Sequence, residues 1–338
     1  MGTYILRRIL WCIPVLVSVG LITFIISRAT PGGPFDTDPS RPGLSAGAVQ
    51  RLQKQFGLDL PLWRQFTRYM FFDIETNTDP KTGVTSRTFV CGAMCGNFGP
   101  TYASRGSRTV QDAIFSSNGS KPSKFYYSAR LGIQAVVLAL LVAIPLGVTA
   151  ALRQNSWIDY LVLAFSTTLA GVPSLILGLL LVILFASWLG LVPVRPDWDK
   201  PIQPWILPTL ALAIGMIAFL TRLVRNSVLE VKRQDFVRTA NAKGLRERII
   251  IIRHILRNAL LPIVTVLGPM VASVITGTLF IERVFNVPGM GGLLVESIGK
   301  RDYSMILGGA LIYTFILVIC TLIVDVLYGV IDPRISLK

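Results

Sequence analysis

Charged residues are scarce in this sequence. They make up 15% of its 338 residues, whereas hydrophobic residues make up 52%, and the mean hydropathy is +0.60. Soluble domains carry about 25% charged residues, because charge keeps a folded surface hydrated. The shortage of charge therefore excludes an ordinary soluble protein.

Histidine is nearly absent, and so is a phosphate-binding loop. The single histidine, His254, excludes a multi-histidine metal site, and beside Arg253 it is better explained as a structural residue than as a catalytic base. Gly299-Lys300-Arg301 is the nearest approach to a nucleotide-binding loop, but it lacks the upstream glycine and the Ser/Thr that would ligate Mg²⁺. We expect no catalytic residue, no metal site and no cofactor on this chain.

Long apolar runs take the place of charge. A helix needs about 20 residues to cross a bilayer, and five runs approach or exceed that length: residues 9–26, 131–152, 205–220, 260–280 and 305–327. A sixth run, residues 158–194, contains Gly171-Val172-Pro173, and we interpret it as one span bent at the proline. The predicted fold class is an all-α integral membrane protein with six transmembrane helices.

The charge that is present is mostly positive. The net charge is +15, and an excess of Lys and Arg marks the cytoplasmic loops of membrane proteins. Arg7 and Arg8 precede the first run, which places the N-terminus in the cytoplasm, and six spans return the C-terminus there. Residues 222–257, with ten Lys or Arg against three acids, then also face the cytoplasm. Nucleic acid is not an expected partner, since no basic soluble domain with interleaved aromatics is present.

This topology divides the chain into three predicted domains. Residues 1–28 form the N-terminal tail and first helix, residues 29–130 a large extracytoplasmic loop, and residues 131–338 a five-helix core. Apolar residues at three-to-four-residue spacing predict two short helices in the loop, separated at residues 57–61, whereas residues 73–88 are typical of polar turns.

Two further features of the sequence are candidates for chemistry. Cys91 and Cys95 lie in the predicted outer loop, where a small disulfide, two free thiols or half of a metal site are the alternatives. Asp325 lies near the inner end of the last span, where ionisable residues are functional candidates. Pairing with Arg222 or Arg225, near the inner end of the fourth span, is the simpler interpretation.

The basic stretch of residues 235–257 has a pattern of its own. Asp235 can cap a short helix over residues 235–243, and Gly244 permits a tight turn. Isoleucines interleaved with arginines then predict a second helix, so the stretch would form a cytoplasmic knob. Composition alone equally allows an interfacial helix that carries only orientation charge.

The same stretch, RTANAKGL followed by RHILRNALLP, resembles the cytoplasmic EAA loop of ABC importer permeases in its dipeptide and oligopeptide version. Of the general Glu-Ala-Ala…Gly pattern, Ala240 and Gly244 match, while Arg238 and Thr239 replace the Glu and the first Ala. Further segments resemble that family in the same order along the chain: YILRRIL, TPGGPF, GLDLPLWRQFTRY, CGNFGPTY, ALRQNSWIDY, VFNVPGMGGLL, KRDYSMILG and DVLYGVIDPRI. Residues 71–95 depart from the family as an insertion, and no family role is carried onto them.

The resemblance implies roles for two groups of residues. The loop would be a coupling helix that docks on a partner ATPase, through the positions Arg238, Thr239, Ala240, Lys243 and Gly244. Ala240 and Gly244 would be close-packing positions, and Arg238 and Lys243 polar contacts. Pro288, Gly289 and Gly291 would belong to a re-entrant segment that lines a cavity or gate, for which an ordinary surface loop is the alternative.

The resemblance also implies an assembly. The chain would be a non-enzymatic pore subunit of the bacterial inner membrane, with a second homologous permease, two ATPases that hold ATP and Mg²⁺, and an extracytoplasmic peptide-binding protein. It would import di- or oligopeptides through the lipid bilayer. Nickel, glutathione or oligosaccharide import by the same architecture, a membrane-embedded enzyme and a stand-alone channel are the alternatives.

Overall fold

The structure is a computed structural model that describes residues 2–31, 33–35, 46–78, 85–117, 121–193, 196–198 and 200–331. The chain divides into two compact units. The first unit takes the described residues of 1–8, 125–292 and 316–338, and the second unit those of 9–124 and 293–315. The three domains predicted from the sequence were divided by expected membrane topology and not by contacts. Their limits therefore stay a prediction.

Helices account for most of the described chain. In order they are α1 (Gly2–Ala29), α2 (Ala46–Gln55), α3 (Leu62–Met70), α4 (Val110–Phe115), α5 (Lys124–Leu152), α6 (Trp157–Gly171), α7 (Ser174–Leu181), α8 (Ile206–Lys232), α9 (Asp235–Ala242), α10 (Glu247–Ile249), α11 (Arg257–Ala259), α12 (Leu261–Ile275), α13 (Leu279–Phe285), α14 (Met290–Gly299) and α15 (Tyr303–Ile331). The π-helical stretches Val182–Trp188 and Ile250–Leu256 continue α7 and α10.

Four helices in the described part of the chain, α1, α5, α8 and α15, are long and apolar enough to cross a membrane. Two bent pairs raise the number to six if each pair is counted as one span: Trp157–Gly171 with Ser174–Trp188, and Glu247–Ala259 with Leu261–Ile275. The chain is therefore a mainly helical protein with four to six candidate spans.

The first bent pair breaks where the sequence predicted a kink, but far more sharply. The two helices meet at 99°. Pro173 has no N–H to continue α6, and its carbonyl instead accepts from the N–H groups of Ile176 and Leu177 at the start of α7. A proline thus ends one helix and starts the next.

The fifth apolar run does not stay helical to its end. The predicted span over residues 260–280 stops at Ile275, because Gly277 takes φ +110° and turns the chain before α13. The boundary was wrong because hydropathy does not report a backbone turn inside an apolar run.

Small residues let the long helices of the first unit approach closely. Ala135, Ala139 and Ala143 recur every four residues on one face of α5 and are all fully buried. Gly147 continues this face, and a Cβ there would lie 2.6 Å from the Cβ of Val224 on α8. The α5–α8 contact is therefore of the small-residue type that membrane helices favour.

The second unit contains the two short helices predicted before and after residues 57–61. Gly57 takes φ +65° and Pro61 precedes α3, so α2 and α3 are separated as expected. The polar turn predicted for residues 73–88 is wrong: β1 (Phe72–Thr78) and β2 (Thr85–Cys91) pair as an antiparallel hairpin, with Phe72 opposite Cys91. The fold is thus not purely helical, since an alternation of residues suited to strands was missed.

Candidate functional site

The basic segment, residues 235–257, begins with the predicted short helix. Its N-cap position is Gln234, without a side-chain hydrogen bond, so the prediction that Asp235 caps the helix is wrong. Asp235 instead lies in the first turn of α9, where a negative charge is favoured by the helix dipole. The Arg238 guanidinium lies 3.6 Å from this carboxylate, and both side chains are exposed.

One face of α9 is anchored and the other is open. Val237 and Ala240 are buried in a hydrophobic cluster with residues of α8 and α12. Thr239 and Lys243 are exposed, as is the aromatic ring of Phe236. Ala240 is therefore packed within the chain, and the opposite face of α9 is exposed. The roles expected of these residues stay predictions.

Gly244 makes the turn that the sequence predicted. It takes φ +70°, a left-handed conformation that residues with a Cβ resist, and its N–H donates to the Asn241 carbonyl at 2.9 Å. No heavy atom of the described residues would lie within 4 Å of a Cβ at this position. Within this chain the close packing expected of Gly244 is therefore absent, and glycine is needed there for conformation.

The glycine loop, residues 286–292, encloses a buried carboxylate. Glu282 is 2% exposed, and its Oε1 accepts hydrogen bonds from the Ser128 hydroxyl at 2.7 Å and from the Thr278 N–H at 3.2 Å. Its Oε2 accepts from the Gly292 N–H at 3.2 Å. The Ser128 oxygen in turn accepts from the Met290 N–H at 2.8 Å, so the loop is tied to α5 and α13.

The loop glycines were expected to line a cavity or gate, and the structure places them against this carboxylate. A Cβ on Gly289 would lie 2.5 Å from the Glu282 Cδ and from the Ser128 Oγ. A Cβ on Gly291 would lie 2.9 Å from the Glu282 Oε2. Both glycines are buried, whereas Pro288 is exposed. In this chain the two glycines leave room for the acid.

Glu282 was missed at the level of sequence. Among the described residues no lysine or arginine forms a salt bridge with it. The charge is instead compensated by N–H groups and by the start of α14, where Gly292 lies, because helix N-termini favour anions. An acid at the end of an apolar run, followed by a Pro-Gly-x-Gly-Gly turn, is the signal that could have found it.

Asp325 pairs with Arg8, so the prediction that it pairs with Arg222 is wrong. The Arg8 Nη2 lies 2.7 Å from the Asp325 Oδ2, with the two side chains 42% and 13% exposed. The alternative partner, Arg225, binds Asp159 through two hydrogen bonds of 2.6 and 2.7 Å. The error arose because the first helix, which is distant in sequence, was not considered as a neighbour of the last.

Cys91 and Cys95 form a disulfide with Cα atoms 5.9 Å apart. Gly92, between them, packs against α3: its N–H donates to the Phe71 carbonyl at 2.7 Å, and a Cβ there would lie 2.4 Å from the Tyr69 carbonyl oxygen. The disulfide therefore closes the base of the β1–β2 hairpin where the hairpin meets α3.

A second missed acid organises the second unit. Asp302 is 1% exposed and accepts hydrogen bonds from the N–H groups of Tyr102 and Ala103, both at 3.0 Å, and of Met305 at 3.2 Å. It thus caps α15 and also binds a loop some 200 residues earlier in the chain. Neither role could be deduced from its local sequence.

The chain is similar to a known family of membrane proteins. A family model described as the binding-protein-dependent transport system inner membrane component matches residues 143–337. The chain is 37% identical over 337 residues to the dipeptide transport system permease protein DppB of Bacillus subtilis, covering 100% of this chain and 99% of that protein. It is 34% identical to the oligopeptide permease OppB of Haemophilus influenzae, covering 98% of both.

A third relative is the glutathione transport system permease protein GsiC of Escherichia coli K12, 33% identical over 344 residues and covering 100% of both chains. These full-length matches agree with the resemblance that the basic segment and the other quoted segments predicted. The chain belongs to the family of binding-protein-dependent transport system inner-membrane components, and it is a transport permease component rather than an enzyme.

Proposed function

We propose that this chain is one of two permease subunits of an ABC importer that takes up di- or oligopeptides. Two partner ATPases, which hold ATP and Mg²⁺, drive the uptake, and an extracytoplasmic binding protein delivers the substrate. The family and the dipeptide and oligopeptide permeases among the relatives support this proposal. The observation that carries it is the exposed face of α9 with its Gly244 turn.

The proposed topology has six spans and both termini in the cytoplasm of a bacterial inner-membrane protein. Each bent pair then counts as one span, residues 29–130 lie outside, and the basic segment lies inside. The disulfide between Cys91 and Cys95 supports an outer position for residues 29–130, because disulfides persist in oxidising compartments. The arginines of the basic segment support its cytoplasmic position.

The packing of α9 suggests how nucleotide-driven motion reaches the spans. Val237 and Ala240 belong to the same buried cluster as Val224 of α8 and Ile263 of α12. A displacement of α9 by the ATPases would therefore be passed to two long helices as a rigid-body movement, since close-packed interiors transmit strain. Movements of this kind alternate access to a central path in transporters.

The test replaces Gly244 by valine in the assembled importer. Valine resists φ +70°, so the turn must rearrange and α9 loses its docking geometry. We expect uptake of a labelled dipeptide into proteoliposomes to be abolished and the ATPases to be lost on co-purification. Gly190→Val is the matched control, since Gly190 takes φ +61° with no heavy atom within 4 Å of a Cβ, and it lies outside the basic segment. Normal uptake by Gly244→Val would refute the coupling role.

Glutathione import is the second candidate, and the similarity to a glutathione permease favours it. The two candidates differ in substrate and share the assembly. Uptake of labelled glutathione and of a labelled dipeptide by the native importer, each measured against an excess of the other, would separate them. Exchange of only the binding protein should change the substrate if selection rests there.

A further inference from the structure

The second unit contains a cavity of about 340 Å³ that the proposed transport function does not use. Its volume lies at the small end of the range of ligand pockets, about 300–1,000 Å³. Residues of α1, of α3 and of the loop after β2 form its walls. The lining residues used below are Phe24, Arg28, Gln65, Arg68, Tyr69 and Tyr102.

Arg28 brings a positive charge to the cavity. Arg28 and Arg68 line it, and the described lining residues include no aspartate or glutamate. Arg28 is half-buried near the end of α1, and its guanidinium carbon lies 5.4 Å from the ring centroid of Phe24 and 5.7 Å from that of Tyr303. These are cation–π distances, and such contacts use none of the five N–H donors of the guanidinium, which can therefore serve an acceptor.

The helix α3 adds two buried polar atoms without partners. Gln65 donates from its Nε2 to the carbonyls of Leu58 and Leu60, but among the described residues its Oε1 has no hydrogen-bond partner. One turn later, the buried Tyr69 hydroxyl has none either. Burial raises the pKa of Tyr69, so this hydroxyl stays protonated and can donate. Buried polar atoms are normally paired, so the Tyr69 hydroxyl indicates an acceptor group in the cavity. The Gln65 Oε1 is itself an acceptor and would pair only with an N–H or O–H of the same occupant, not with its oxyanion.

We propose that this cavity is a site for a small oxyanion, a carboxylate or phosphate group, with Arg28 as its principal ligand and the Tyr69 hydroxyl as a second donor. Guanidinium groups bind carboxylates and phosphates through paired N–H bonds. The shared chemistry has two sources. A short peptide ends in a carboxylate. Arg28 also follows the apolar run of α1, so a membrane-spanning α1 would bring it to the level of the lipid phosphates.

The experiment uses the full chain in lipid nanodiscs. In phosphatidylcholine discs, the dipeptide Ala-Phe and its C-terminal amide are titrated by calorimetry. In discs that contain phosphatidylglycerol, native mass spectrometry counts the retained anionic lipids. Each measurement is repeated on Arg28→Gln and on Arg64→Gln, the control, because Arg64 is exposed on α3 and does not line the cavity.

We expect Arg28→Gln to weaken the bound probe about 10-fold or more, since hydrogen bonds to charged groups are the strong ones, and Arg64→Gln to leave it unchanged. Loss of Ala-Phe binding, with weak binding of the amide, assigns the site to a peptide carboxylate. Loss of retained phosphatidylglycerol assigns it to a lipid phosphate. The inference is refuted if neither probe depends on Arg28.

A second variant, Tyr69→Phe, tests whether weaker binding of the probe comes from misfolding. It removes a hydroxyl that has no hydrogen-bond partner in the described part of the chain, so the folded chain should be as stable as before. The dissociation constant of the probe should nevertheless rise about 2- to 10-fold, and an unchanged constant would exclude the hydroxyl as a ligand. The dipeptide probe comes from the proposed function, but binding is measured without ATPases, so failure of the coupling test leaves this result intact.

Discussion

Gly244 and Gly289 are both loop glycines that the sequence singled out, yet glycine is required at each for a different reason. At Gly244 the backbone has φ +70° and the space beside it is open. At Gly289 the space for a Cβ is filled by Glu282 and Ser128. The first glycine shapes an exposed segment, which we propose docks on a partner, whereas the second makes room for a buried acid. Substitution of Gly289 should therefore mainly lower the stability of the fold, whereas substitution of Gly244 should mainly impair transport.

The largest effect is expected for Gly289→Ala. Its Cβ would lie 2.5 Å from two atoms of a packed hydrogen-bond network, and overpacking of this severity should lower the free energy of unfolding by about 3 kcal/mol or more. Chemical denaturation of the purified chain in mixed micelles measures this loss. A variant as stable as the native chain would show that the loop yields easily and would end the contrast with Gly244.

Glu282→Ala should have the next largest effect. Truncation leaves the Ser128 hydroxyl and the N–H groups of Thr278 and Gly292 buried without their acceptor. We expect a loss of about 2–4 kcal/mol in the same unfolding measurement. Glu282→Gln keeps the shape and one acceptor, so it should lose about half as much. Equal losses would mean that the acid acts through packing alone.

Gly244→Ala should hardly change stability but should impair transport. The left-handed conformation costs a residue with a Cβ about 1 kcal/mol, and the surroundings are open. Asparagine tolerates this conformation better than other residues do, so Gly244→Asn should keep most of the uptake that Gly244→Ala loses. The pair is compared by initial rates of dipeptide uptake. If both variants fail equally, the requirement at this position is spatial after all, and a partner must pack against it.

The smallest effect concerns the ion pair that lies outside both regions. Arg8 is 42% exposed, and exposed ion pairs contribute about 0.2–1 kcal/mol. Arg8→Gln should thus lower the free energy of unfolding by no more than about 1 kcal/mol. Arg222→Gln should leave the ion pair between Arg8 and Asp325 intact. A larger loss for Arg222→Gln than for Arg8→Gln would restore the partner that was predicted from sequence.

The apolar helices and the turn in the exposed basic segment could be predicted from the sequence. The turn in the basic segment could be predicted because its determinant is local: Gly244 sets it. The arginines of the segment predict a cytoplasmic position, which stays a prediction. The breaks at Pro173 and around Gly57 were also predictable, because proline and glycine act on their own backbone. By contrast, the strands of the β1–β2 hairpin were missed, since a short polar alternation is a weak signal when no core face can be recognised.

The sequence by itself indicated a mainly helical membrane protein and the family to which it belongs. Hydropathy, turn residues and the order of the motifs can all be read from the residues along the chain. The tertiary structure alone decided that Glu282 is enclosed by the glycine loop, that Asp302 binds a loop about 200 residues away, and that Asp325 meets Arg8. These partners are distant in sequence, and a buried carboxylate is compensated only by groups that folding brings within hydrogen-bond distance. No local pattern records which groups those will be.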